Sequence, residues 1–280
     1  MLKETYRRLS VYSTIGWFYF RRLLRQHPRL KKSYHHVPGA DEEFSEFLSR
    51  IPSDKLFVHA SLSAVNTFTR EPDTYAFLMK QFRAHFSVIA SQAFTPQVRK
   101  SKVFDPVTTK PAYGAFAKNF FRRDAEFRNL DPCYSVMAAG RVMWDEKTPS
   151  FALDGLFQQM LDEDFHCLNI GLDYVTCSLM HDIEYRQQVP YLHFDNHRFT
   201  LILDGKEKEV DHWLHQNKPA YAIKGFVWWN RHRLMQDLKK TDILQRVTLH
   251  GVRLYAFSMR ELYQFVTDKV KKDPFYLITW

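Results

Sequence analysis

The stretch KLFVHASLSAV, residues 55–65, decides how the rest of the chain is read. LFVHA is a short apolar run, as expected of a strand buried in a sheet, and the residues after it form a Ser-rich turn. In open α/β sheets ligands gather just beyond the carboxyl ends of strands. A buried strand that ends in hydroxyls is therefore the first place to look for a site.

Working outward, the same pattern recurs. HHVPGADEE (35–43) reads as a linker, because Pro38 and Gly39 interrupt a helix, and Asp41 is placed to cap a short helix through Phe44 and Phe47. Residues 73–86 carry Tyr75, Phe77, Leu78 and Phe82 at helical spacing, and FSVIASQAF (86–94) is a second apolar strand. TPQVRKSKVFDPVTTKPAYG (95–114) reads as irregular, AFAKNFFRR (115–123) as a helix and SVMAAGRVMW (135–144) as a third strand. Residues 154–163 are helical, and FHCLNIGLD (165–173) is a fourth strand. RFTLILDGKEKEVDHW (198–213) holds two strands about an Asp-Gly turn, a hairpin signal. VTLHGVRLYAFSMRELYQFVTDKV (247–270) runs from a strand-like segment into an amphipathic helix. Strands alternating with helices predict an α/β fold, a layered sheet with helices on both faces plus a β-hairpin insertion.

At 280 residues the chain is long enough to bury a large core. No second core is visible, so residues 38–280 are expected to form a single domain, preceded by a basic amphipathic extension over 1–37. Aromatics make up 16% of the chain, enough for a rigid core and for stacking surfaces. The net charge of +9 favours anionic partners. It is concentrated in two blocks, Lys3–Lys32 and Arg231–Arg253, and no nucleic-acid motif accompanies it, so no nucleic-acid partner is expected. Cys133, Cys167 and Cys177 are odd in number and show no Cys-x-x-Cys spacing, which fits a reducing, cytoplasmic setting. VYSTIGWFYF (11–20) is far shorter than the roughly 20 residues a membrane span needs. A helix carrying Tyr6, Leu9, Ile15, Trp17, Phe20 and Leu24 would instead dock on the core, pair with a second copy in a homo-oligomer, or lie peripherally on an anionic membrane.

Three strand ends are polar: His59 to Ser63, Gln92 to Gln97, and Asp173 to His181. The last leads into HDIEYRQQVPYLHF (181–194), where His181 precedes Glu184 by about one helical turn. No Gly-x-Ser-x-Gly elbow, Walker loop or Gly-x-Gly-x-x-Gly is present, which removes the elbow hydrolases and the standard nucleotide folds. His193 and His197 are four apart, but they fall where the chain enters a strand, so a helical zinc pair is rejected and no metal is expected.

Five ordered blocks resemble the aminoglycoside 3-N-acetyltransferases, the antibiotic N-acetyltransferase family, over residues 56–270. They are VHASLSAV, SQAFTPQ, FDPVTTKP, GAFAKNFFRRDAEFRNLDPCYSVMAAG and NIGLDYVTCSLMHDIEYRQQVPY. The resemblance implies an acetyl-CoA-dependent N-acetyltransferase with His181 as general base. Glu184 would orient that base or hold the cationic amine, and His59 is a further catalytic candidate. Coenzyme A binding falls to the turn Ser61, Leu62, Ser63, Ala64 and Val65, with Thr95 and Ser135; the turn and Ser135 are also candidate donors to the thioester oxygen. Asp105, Asp173 and Glu184 are candidate substrate contacts. Taking a proton from an ammonium group asks for a base that titrates near neutrality, and imidazole meets that need.

The chain also departs from the family pattern. Asp131-Pro132 stands for His-Pro, Lys118 for a glutamate, and Cys177-Ser178 for Asn-Thr, while GFVWWNRHR (225–233) replaces a late acidic region. Fewer carboxylates point away from a polycationic acceptor and toward an amino sugar, a nucleotide-linked amino sugar or a glycan under construction, as in polysaccharide biosynthesis. The alternative is a catalytically inactive family member that serves as a binding or scaffold protein at a membrane surface.

Overall fold

A computed structural model describes residues 37–69, 71–218 and 230–278. The basic extension, and with it the helix expected around residues 6–24, lies outside the described residues. In chain order the elements are α1 (Ala40–Ser49), β1 (Lys55–Ala60), α2 (Leu62–Thr69), α3 (Thr74–His85), β2 (Val88–Phe94), α4 (Val98–Ser101), β3 (Val103–Phe104), α5 (Ala115–Arg123), β4 (Phe127–Arg128) and β5 (Tyr134–Ala139). They continue with α6 (Leu156–Asp162), β6 (His166–Ile170), α7 (Leu179–Arg186), β7 (Leu192–Leu203), β8 (Lys206–Asn217), α8 (Arg231–Leu238), β9 (Gln245–Leu249), β10 (Val252–Ser258) and α9 (Met259–Lys272).

Seven strands form the main sheet in the order β4-β5-β2-β1-β6-β10-β9. Its centre, β2-β1-β6, is parallel, with Leu56 opposite His166 and Ala60 opposite Ile170. The flanking strands β5 and β10 run antiparallel to that centre. Successive side chains of a strand point to opposite faces, and the core divides accordingly. Leu56, Val58, Ile89, Met137, Leu168 and Leu254 pack with Phe44 of α1, Phe68 of α2, Phe82 of α3 and Phe116 of α5. Phe57, Ala90, Val136, Cys167 and Phe257 face the other way, onto Phe157 of α6, Ile183 of α7, Leu234 of α8 and Val266 of α9. Helices thus cover both faces, and the central strands are buried on both sides, which explains why their sequences are largely apolar without strict alternation.

The hairpin forms as expected, although its strands are longer than the 198–213 segment and its turn is Asp204-Gly205, both at positive φ. Two such residues make the tight turn whose twist matches the flanking strands, and glycine adopts that conformation without steric cost. β3, β7 and β8 form a second sheet of three strands. It has its own apolar cluster, in which Phe199, Leu201 and Leu214 pack with Phe104 and Tyr134.

Local details differ from the sequence reading. Gly39, not Asp41, is the N-cap of α1; Asp41 lies in the first turn, where its negative charge is favourably placed against the positive end of the helix dipole. The segment 95–114 contains α4 and β3. The strand-like run before α9 is two strands, β9 and β10, joined through His250 and Gly251. Cys133, Cys167 and Cys177 are all buried and unbridged. Among the described residues no helix is long and apolar enough to cross a membrane.

Candidate active site

The parallel strands β1 and β6 end side by side. The amide of Ser61 donates to the carbonyl of Ile170 at 2.9 Å, so the Ser-rich turn is tied to the end of the neighbouring strand. The Ser61 carbonyl then accepts from Ala64 and Val65, which starts α2 at once. The first amides of any helix lack intrahelical acceptors, and here they follow a pair of hydroxyls, Ser61 and Ser63, whose Oγ atoms are 3.1 Å apart. Gly171 makes the close approach possible. Its φ is +68°, and a Cβ there would lie 2.2 Å from the Cβ of Ala64.

Helix α7 buries Leu179, Met180 and Ile183 against the core and carries His181 and Glu184 one turn apart. His181 Nδ1 lies 2.9 Å from Glu184 Oε2. The second oxygen of Glu184 accepts from the Tyr191 hydroxyl at 2.8 Å. Glu184 is only 3% exposed, whereas His181 is 20% exposed. If Nδ1 carries the proton donated to the carboxylate, the basic lone pair is on Nε2. On the adjoining side of the helix Asp182 pairs with Arg186 at 2.7 Å and is buried. Burial, opposed by the Arg186 charge and hydrogen bond, pushes the Asp182 carboxyl up to about 7.

Aromatic rings surround His181. Phe94, at the end of β2, meets it edge-on at 6.0 Å, and Phe151 approaches at 6.1 Å. His215 of β8 stacks on it at 4.7 Å with 27° between the planes, and Tyr134 packs against both, at 4.7 Å and 17° from His215 and at 6.2 Å from His181. Arg99 hydrogen bonds to the Tyr134 hydroxyl and donates to the carbonyl of His215 at 3.2 Å. Burial, then the charges of His181 and Arg99, hold the His215 imidazole well below its ordinary value. His215, Tyr134, Phe94, Phe151 and Arg99 were not singled out from the sequence. His215, which the hairpin brings in, is 31 residues beyond Glu184, so no local spacing links them.

The other sequence candidates are distributed as follows. His59 sits at the end of β1, edge-on to Phe57 at 5.2 Å, and its buried Nε2 has no hydrogen-bond partner among the described residues. Burial and the charge of Arg231 push its imidazole down to about 4. It is linked to His181 through a chain of rings, Phe57 to Phe157 to Phe151. Ser135 is fully buried and does not present a hydroxyl to the site: its Oγ accepts from Arg128 Nε at 2.9 Å and contacts the Ala93 carbonyl at 3.3 Å. The Thr95 hydroxyl is likewise spent on the Pro132 carbonyl at 2.6 Å. Asp105 closes its own loop, accepting from the Val107 and Thr108 amides and the Thr108 hydroxyl. Asp173 pairs with Arg253 at 3.2 Å on the β6–α7 connection. His193 pairs with Asp195 and His197 contacts Gln216; among the described residues no group of three His, Cys, Asp or Glu could hold a metal.

A sheet with parallel central strands, helices on both faces and a His–Glu pair beside the strand ends defines a layered α/β fold with a candidate general base at the carboxyl ends of its strands. The family model for the aminoglycoside 3-N-acetyltransferases matches residues 57–271, and the chain belongs to that family. It is an N-acetyltransferase with acetyl-CoA as co-substrate. Solved structures with the same fold include aminoglycoside acetyltransferase AAC(3)-IVa as the apoenzyme, at 17% identity and a TM-score of 0.67, covering 88% of this chain and 93% of that one. YokD from Bacillus subtilis is similar at 14% identity and a TM-score of 0.66, covering 86% of this chain and 95% of its own. AAC-IIIb in binary complex with CoASH matches at 13% identity and 0.67, covering 86% and 97%. No curated protein sequence gives a significant match.

Proposed function

We propose that the chain transfers the acetyl group of acetyl-CoA to the amine of a sugar bearing few positive charges, with His181 as general base. The observation that carries this reading is the chain Tyr191–Glu184–His181, in which a buried carboxylate holds Nδ1 of a partly exposed imidazole. His181 takes the ammonium proton through Nε2, and the freed amine attacks the thioester carbonyl. The C–N bond forms as the C–S bond breaks, the imidazolium returns its proton to the departing thiolate, and the acylated nitrogen sheds its second proton to solvent, leaving amide, thiol and one released proton. The Leu62 and Ser63 amides at the head of α2 suit the developing oxyanion or the amide-bearing arm of coenzyme A. This division of labour makes residues 38–280 one acyltransferase unit.

Two features support the choice of acceptor. Both oxygens of Glu184 are engaged by His181 and Tyr191, which favours orientation of the base over capture of a substrate ammonium. The walls beside the base are the rings of Phe94, Tyr134, Phe151 and His215, surfaces that stack on a sugar face. A solved structure of AAC(3)-IVa contains a gentamicin, so that protein accommodates an aminoglycoside. Here an amino sugar or nucleotide-linked amino sugar is the better fit. The test is thiol release from acetyl-CoA with a panel of amino sugars, nucleotide-linked amino sugars and aminoglycosides. Turnover with a mono-amino sugar, lowered roughly a hundredfold or more in His181→Ala, is the expected result. No release with any acceptor, or an unaffected His181→Ala rate, overturns it.

A further inference from the structure

The ring against the proposed base comes from outside the catalytic helix. His215 belongs to β8, opposite Phe194 of β7 in the hairpin register, and Phe194 in turn meets Tyr185 of α7 edge-on at 5.1 Å. The hairpin is therefore fastened to the helix that carries His181, and it delivers an imidazole flat onto the base at 4.7 Å. We propose that His215 is a positioning residue for the reaction argued above: its uncharged ring keeps the His181 imidazole in its working plane and supports the charge that ring gains on taking the amine's proton. The inference rests on that reading of His181.

Three observations carry it. First, His215 is held. Tyr134 lies against it at 4.7 Å and 17°, with its hydroxyl 3.3 Å from His215 Nε2, and itself approaches His181 at 6.2 Å; Arg99 ties the two rings together through the Tyr134 hydroxyl and the His215 carbonyl, so the ring has little freedom to tilt away. Second, His215 stays neutral. Two stacked imidazoles cannot both be charged at low cost, and burial, then the charges of His181 and Arg99, hold the His215 imidazole well below its ordinary value. Third, a neutral aromatic face attracts a cation placed over it. This attraction appears whenever His181 is protonated, in the transition state as in the free enzyme at acid pH, so its loss is read both in the rate and in the ascending limb.

Among the described residues, the titratable groups set against His181 are Glu184, with Tyr191 behind it, Tyr134 and His215, and Arg99 bonds to the last two. Glu184 also favours the protonated ring, but through Nδ1 and in the ring plane, whereas His215 acts on the ring face. The two contributions are separable by substitution.

The experiment compares the full chain with His215→Leu, His215→Phe and His215→Met, using acetyl-CoA and the acceptor identified by the panel. Leucine removes the π face and phenylalanine keeps it. Expected for His215→Leu is a kcat lowered roughly tenfold, a KM for acetyl-CoA within about twofold, and an ascending limb of kcat/KM moved roughly half to one pH unit toward acid. His215→Phe is expected to return the limb to its wild-type position and to recover most of the rate. If leucine prevents folding, methionine, which adapts to irregular space, takes its place in the comparison. Equal rates and limbs in the aliphatic and phenylalanine variants, whether both wild-type or both impaired, overturn the inference. His181→Ala is measured alongside. If it abolishes turnover while the His215 variants keep the wild-type rate and limb, this inference falls alone. If it keeps its rate, the reading of the base falls first.

Discussion

Asp131 Oδ1 accepts from His212 Nε2 at 3.1 Å, joining the head of β5 to the hairpin, with the two side chains 1% and 18% exposed. The same oxygen accepts from the amides of Cys133 and Tyr134. The position at which the family pattern has a histidine thus holds the hairpin in place here, three residues from the Tyr134 ring that lies against His215.

The pair sets a pH window for stability. Burial pushes the Asp131 carboxyl up, but the His212 charge and hydrogen bond and the two amides outweigh it and hold it below its ordinary value. Burial likewise lowers His212, and Asp131 raises it by more. The carboxylate's contribution is present above about pH 4 and lost as acid protonates it; the imidazole's is complete below about pH 6.5 and lost as pH rises through its raised value. Asp131→Asn keeps an acceptor for the two amides and removes only the charge. Thermal melts are expected to show a loss of about 1.5–3 kcal/mol near pH 5.5 that shrinks near pH 9. An equal loss at both values would mean the charge pair contributes nothing.

Glu184→Gln separates its two conceivable roles. With both oxygens already engaged, the neutral amide holds the base less well, so kcat is expected to fall about tenfold with acceptor KM within about twofold. A large rise in acceptor KM at constant kcat would show that Glu184 grips the substrate amine.

Ser135→Ala is expected to affect stability more than chemistry. Its hydroxyl is the buried acceptor for Arg128 Nε, whose Nη1 is committed to the carbonyls of Pro106 and Thr109. Losing that acceptor costs about 1–3 kcal/mol, read by denaturant titration, while the KM for acetyl-CoA stays near wild-type. A severalfold rise in that KM without loss of stability would return Ser135 to the donor site.

Gly171→Ala tests the turn. A methyl group 2.2 Å from the Ala64 Cβ, on a residue at φ +68°, is expected to cost about 2–4 kcal/mol and to raise the KM for acetyl-CoA by displacing the head of α2. Adding Ala64→Gly relieves the contact but not the backbone, so partial recovery is expected. No recovery would place the cost wholly in the backbone conformation.

The layered α/β fold was legible because the central strands are buried on both faces and therefore carry largely apolar runs, as in LFVHA and FSVIASQAF. The His181–Glu184 pair was legible too, since a spacing of three places both on one helical face. Other local readings missed: Asp41 gave way to Gly39 as the cap of α1, and one strand-like run proved to be β9 and β10.

Ser135 and Thr95 looked available in the sequence because a hydroxyl near a strand end carries no mark of what it bonds. Only the fold brings Arg128 to the first and the Pro132 carbonyl to the second. The stack of His181, His215 and Tyr134 depends on the same kind of information. Its members lie 34 and 81 residues apart along the chain, on a helix and on strands of two different sheets. Local periodicity is set by the chain's own geometry and can be read residue by residue. Contacts between elements are set by how hydrophobic faces dock, so the tertiary structure alone decides which histidine rests on which.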